Sequence, residues 1–205
     1  MNRLPARSRH DGGSASVALY WLPLGAGTGA RCVRGSGRLY EALAATRVHR
    51  RRADLYHSAL VVRVDEVAYA IEMAPVWALR DPDRGVVSEG PVCSPLLGRV
   101  RLFRYEIRCW PDGTIPDAVA AVDGPQRVST DQSIARKVIE LVPRCPLATW
   151  GRDELRTGEM WNSNSLTAWL LSRSGHNTDG LRPPSGGRAP GWGAGLAVAA
   201  REELP

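Results

Sequence analysis

The sequence predicts an α+β fold, with a central antiparallel sheet and helices packed on it. Three observations lead there. Strand-like runs rich in branched and aromatic residues cluster in the middle of the chain, at 56–64, 67–73 and 98–110. The two clear helical patterns come after them, one running on from position 132 and one at 162–175. Helices gathered to one side of grouped strands point to α+β architecture rather than to a doubly wound parallel sheet.

Length and composition fit one core. A chain of 205 residues with 43% hydrophobic and 23% charged residues has the makeup of an ordinary globular protein. It is long enough for one full core and short for two, so 15–201 is read as a single domain. Positions 1–14 are polar and basic and are expected to form a disordered arm.

The elements follow in order. Arg3, Arg7 and Arg9 precede the apolar run 17–24, a loose imitation of a signal peptide. Tyr20, Trp21 and Pro23 interrupt that run, which favours a first core strand over 16–24. Gly25, Gly27 and Gly29 come next. Their spacing is one position short of a dinucleotide loop and no helix opens there, so a flexible connection is expected. Leu39, Tyr40, Leu43 and Ala44 recur at helical spacing. The strands 56–64 and 67–73 form a hairpin turning at Asp65-Glu66, and 98–110 ends at the turn Pro111-Asp112-Gly113.

Two helices are then marked by their ends. Ser129-Thr130-Asp131-Gln132 has the Ser-x-x-Gln form of a capping box, and Pro143 supplies the stop. Ile134, Val138, Ile139 and Val142 would line its buried face. The second helix begins near Asn162, carries Leu166, Trp169 and Leu170 as its apolar stripe, and ends at Gly175. Positions 183–192 read as a glycine- and proline-rich loop, with a short last element at 196–200.

Several function classes are set aside by composition. The net charge of +6 is almost wholly arginine, with Lys137 the single lysine. Its densest cluster is Arg47, His49, Arg50, Arg51 and Arg52, which lacks interleaved aromatics and reads as a solvated turn, arguing against nucleic acid as a partner. Cys32, Cys93, Cys109 and Cys145 form no Cys-x-x-Cys pair and have no histidine at ligand spacing. Free thiols in a reducing cytoplasm are therefore expected, with no metal and no cofactor. No run approaches the roughly 20 apolar residues of a membrane span.

The chemistry-bearing candidates are His57, at the start of a strand, and Asn162-Ser163-Asn164-Ser165, at the start of a helix. Each has an ordinary explanation. A lone histidine is usually structural, and Asn and Ser are preferred N-cap residues. Yet a helix start also offers a nucleophile a partial positive charge and free backbone N–H groups. A serine there needs a base to take its proton during attack.

The pattern Tyr56-His57-Ser58-Ala59-Leu60 on one strand, Ile71-Glu72-Met73 on the next and Asn162-Ser163-Asn164-Ser165 opening a late helix resembles the circularly permuted papain-like superfamily. That group holds NlpC-type peptidases, the lecithin–retinol acyltransferase branch and the permuted deSUMOylating peptidases. The resemblance spans 17–200 and implies a papain-like fold. It also implies a hydrolase or acyltransferase acting on an amide or ester of a small molecule or peptide. Ser163 stands where the family carries its cysteine nucleophile, His57 would be the general base, and Asn162 or Asn164 an oxyanion donor. Glu72 is the candidate third group to orient His57, with Asp54 and Glu106 as weaker alternatives. Trp192 would cover the site as a lid or serve packing alone. Cys109 and Cys145 are not at helix starts and are poor alternative nucleophiles. A serine in the cysteine's place leaves two readings open: a serine-dependent enzyme, or a non-catalytic binding module on the same scaffold.

Overall fold

A computed structural model describes residues 15–24, 53–78 and 83–201. The arm 1–14, the glycine-rich connection at 25–29, the helical pattern at 39–44, Cys32 and the cluster Arg47–Arg52 lie outside the described residues.

The described residues form a six-stranded antiparallel sheet in the spatial order β4-β5-β3-β2-β1-β6. Its strands are β1 (Ser16–Pro23), β2 (Tyr56–Val64), β3 (Val67–Pro75), β4 (Val86–Pro91), β5 (Arg104–Pro111) and β6 (Gln126–Ser129). Among the described residues three α-helices accompany it: α1 (Gln132–Leu141), α2 (Ser163–Ser174) and α3 (Trp192–Arg201). The architecture is mixed α+β.

The central hairpin forms where the sequence placed it. Val64 pairs with Val67 across Asp65 and Glu66, whose φ angles of 49° and 70° are both left-handed. Two such residues in a row make the kind of tight turn whose twist matches that of the strands it joins. The expected strand 98–110 is shorter. Positions before Arg104 fold instead into two 3₁₀ turns, Leu97–Arg99 and Arg101–Phe103. The reason lies in the neighbours. Pro91 closes β4 opposite Arg104, and Pro75 closes β3 opposite Tyr105. Below that level no strand among the described residues pairs with the alternating Arg-Val-Arg-Leu run, and proline offers no N–H to extend either ladder.

Helix starts are set by side-chain caps. For α1 the cap is Asp131 rather than Ser129: its carboxylate accepts from the backbone N–H of Ser133 and Ile134. Ser129 instead accepts from the Asp131 N–H at 3.0 Å. Asp131, two residues further on, stands at the helix start itself, where its carboxylate reaches the free N–H groups directly. The helix buries Ala135, Val138 and Leu141, and a 3₁₀ turn containing Pro143 ends it. The last helix, α3, starts at Trp192, earlier than the short element expected from 196.

α2 sits at the centre. Ten of its twelve residues are buried, so it is enclosed on all sides rather than along one stripe. It packs against β2 and β3, against α1, and against α3. Gly195 of α3 makes the last approach possible, since a Cβ there would collide with the Ser165 carbonyl oxygen. The main core joins Leu19, Leu60, Val62, Ile71 and Ile107 of the sheet to Leu166, Trp169 and Leu170 of α2. The other sheet face carries a smaller cluster of Leu22, Ala59, Ala70 and Ile115.

Candidate functional site

The site begins with strand alternation. Successive side chains of a strand point to opposite faces. In β2, Leu60 and Val62 belong to the main core, so Ser58 shares their face and looks toward α2. Ala59 belongs to the second cluster, and His57 shares that face. The pairing with β1 agrees: Ser58 lies opposite Trp21 of the main core, and His57 opposite Leu22 of the second.

The start of α2 therefore meets Ser58. The Ser58 hydroxyl donates to the Asn164 Oδ1 at 2.9 Å, and both groups are buried. The Asn164 amide nitrogen donates to the Tyr56 carbonyl at 3.0 Å and to the Pro190 carbonyl at 2.9 Å. Asn162 is the N-cap. Its Oδ1 accepts from the N–H of Asn164 at 2.9 Å and of Ser165 at 3.4 Å, and its Nδ2 donates to Pro190 at 2.8 Å. Ser165 completes a capping box by accepting from the Asn162 N–H, while its hydroxyl donates to the Gly191 carbonyl at 2.7 Å.

This knot fastens three separate stretches of chain. β2, the head of α2 and the loop before α3 meet there, and a short bridge between Leu55 and Arg188 continues the junction. The loop is fixed from its other side by Glu159, whose carboxylate accepts from the N–H of Gly191 and Gly193 at the start of α3. Gly191 is needed at this point: its φ is 86°, and a Cβ would lie 2.6 Å from the Asn162 Oδ1.

Each expected catalytic role meets a different environment. Ser163 is buried at the first turn of α2, and among the described residues its hydroxyl makes no hydrogen bond. His57 lies on the sheet face away from α2, so the sheet separates the expected base from the expected nucleophile. Burial alone pushes its imidazole down to about 4, which makes it a weak base at neutral pH. Asn164 already uses its amide hydrogens on two carbonyls, so it is not free to serve as an oxyanion donor. Trp192 packs on Trp21, with ring centroids 5.0 Å apart, and acts as the first residue of α3 rather than as a lid. Asp54 is exposed and contributes its backbone carbonyl to Arg188.

Glu72 and Glu106 belong to a charge cluster on the His57 face of the sheet. Arg108 donates to Glu72 at 2.7 Å and to Glu106 at 3.0 Å, and Arg84 also pairs with Glu106. Burial raises Glu72 above the usual carboxylate range despite the adjacent Arg108. Glu106 is also pushed up by burial, but the combined hydrogen bonds and charges of Arg84 and Arg108 win and hold it below that range. Glu72 is thus the partner of an arginine, not of His57. Sequence reading passed over Ser58 and Arg108. Both carried a signal: Ser58 alternates in phase with Leu60 and Val62, and Arg104, Glu106 and Arg108 alternate with Tyr105, Ile107 and Cys109.

Among the described residues, no group of three or more His, Cys, Asp or Glu side chains is placed to hold a metal ion. Cys93 and Cys109 are free thiols, and burial pushes Cys109 up to about 11, far from a reactive thiolate. No helix among the described residues is long and apolar enough to cross a membrane. No protein-family model, curated protein or solved structure matches this chain.

Proposed function

We propose that this chain is a binding module on the papain-like scaffold that its Asn162–Ser165 pattern resembles, with Ser163 as a structural residue and not a nucleophile. One observation carries the reading: Ser58, not His57, meets the head of α2. A serine hydroxyl attacks only when a base within hydrogen-bond reach takes its proton. The sheet stands between Ser163 and His57, and Glu72 is engaged by Arg108. The neighbouring asparagines and Ser165 bind backbone groups, which supports a role in joining α2 to β2 and to the loop before α3.

An active-site-directed fluorophosphonate tests this. The expected result is no labelling of the wild-type chain beyond that of Ser163→Ala. Stoichiometric labelling abolished by Ser163→Ala would overturn the proposal in favour of a serine-dependent hydrolase or acyltransferase.

A further inference from the structure

The end of the sheet where β3 and β4 stop and β5 begins carries an unusual surface. The loop between β4 and β5 exposes Leu96 (75%), Val100 (53%), Leu102 (61%) and Leu97 (40%). The 3₁₀ turn Val76–Ala78 packs against the turn Arg101–Phe103 and adds Trp77, 41% exposed, to the same end. Side chains this open project outward and do not line a groove. Exposed apolar clusters on a folded protein mark contact surfaces.

The loop holds these side chains out by construction. Its base is tied by Val92 N–H to Phe103 O at 2.8 Å and by Cys93 N–H to Trp150 O at 3.0 Å. Inside it, Val100 N–H reaches Leu97 O and Phe103 N–H reaches Val100 O, both at 2.9 Å. Gly98 lets the turn lie flat on Pro91, because a Cβ would stand 2.7 Å from the proline side chain.

Arginines alternate with the apolar residues. Arg99 and Arg101 are exposed and have no ion-pair partner among the described residues. Arg152 reaches the base of the same loop, donating to the Cys93 carbonyl at 3.4 Å, and its charge is shared with Glu154. The nearest acid on β4, Glu89, is already paired with Arg104 at 3.0 Å. The tip is therefore apolar and cationic together. A second copy of this chain fits it poorly, since a two-fold contact presents the same patch, and the same arginines, from both sides. A surface that is apolar inside and anionic at its boundary fits it well.

We propose that this tip docks on an anionic lipid bilayer, with Leu96, Val100, Leu102 and Trp77 entering the headgroup–acyl boundary and Arg99 and Arg101 at the phosphates. Long arginine stems reach that level while the apolar neighbours go deeper. Each arginine near an anionic surface strengthens binding about fivefold. The contact is peripheral, and it stands independently of whether Ser163 reacts.

Sedimentation of the full chain with vesicles tests it. Phosphatidylcholine–phosphatidylserine vesicles should carry the protein down at low salt, and pure phosphatidylcholine vesicles should carry far less. Arg99→Ala/Arg101→Ala should weaken binding roughly 25-fold, about fivefold per arginine. Leu96→Ser/Leu102→Ser should abolish it while the circular dichroism spectrum stays that of the wild type. In the unmutated chain, brominated lipid should quench tryptophan fluorescence, and Trp77→Phe should remove that quenching. No binding to anionic vesicles at low salt, or binding untouched by the leucine changes, overturns the proposal. So does a concentration-dependent dimer that the leucine changes dissolve without any vesicle binding. Fluorophosphonate labelling bears only on Ser163 and vesicle binding only on the tip, so the two proposals fail separately.

Discussion

The two faces of the central sheet bury polar groups in opposite ways. Toward α2 the groups are neutral: Ser58, Asn162, Asn164 and Ser165 are matched to backbone N–H and carbonyl groups from three chain segments. On the other face they are charged, and Arg84 and Arg108 form ion pairs with Glu72 and Glu106. Neutral groups lose little on burial when every hydrogen bond is made, and their directionality locks segments in register. Buried charges need counter-charges, so their cost depends on the whole set staying intact. The difference explains why residues that look like one triad in sequence do not act as one. His57 and Glu72 lie on the charged face and Ser163 on the neutral side.

The charged face should be the more sensitive to truncation. Arg108→Ala leaves Glu72 and Glu106 buried without their shared cation, a loss expected to cost about 3–5 kcal/mol in urea unfolding. A cost under about 1 kcal/mol would mean that water reaches the cluster and that the contrast between the faces is small.

A smaller effect should come from His57. Its folded value of about 4 lies below its ordinary 6.5, because burial disfavours the charged ring. The unfolded chain therefore binds the proton more readily between those values. Stability from the neutral ring is complete above about pH 6.5 and is lost as pH falls through about 4. His57 keeps some solvent contact, so the loss is expected to be about 1–2 kcal/mol. Urea unfolding of wild type and His57→Gln at pH 7 and near pH 4.5 measures it, and the variant should show the shallower fall. A histidine paired with Glu72 would behave in the opposite sense, losing stability as pH rises.

Much of the fold was readable because local signals agreed with the final packing. The hairpin at Asp65-Glu66 and the cap and stop of α2 at Asn162 and Gly175 needed no distant partner to identify them. β4 and β6 were not readable, since edge strands as short as Gln126–Ser129 carry too little pattern of their own. The false extension of β5 had the opposite cause. Arg99, Val100, Arg101 and Leu102 alternate as a strand should, but Pro75 and Pro91 end the neighbours that would pair with them. α3 was underestimated because Gly193 and Gly195 lower helix propensity, while the contact with α2 demands a glycine at 195.

The candidate site was legible as a place and not as a set of roles. Asn162–Ser165 does lie at a buried helix start that meets β2. Which residue of β2 it meets depends on strand phase, and a shift of one position exchanges His57 for Ser58. That phase is fixed by Leu60 and Val62, further along the strand than His57 and Ser58.

Two double-mutant cycles test that phase most directly. Ser58→Ala with Asn164→Ala should show a coupling of about 1 kcal/mol in unfolding free energy, the worth of one buried hydrogen bond. His57→Ala with Ser163→Ala should be additive to within about 0.3–0.5 kcal/mol, as for groups that do not touch. Coupling between His57 and Ser163, with none between Ser58 and Asn164, would contradict the placement of His57 behind the sheet and restore the catalytic pair.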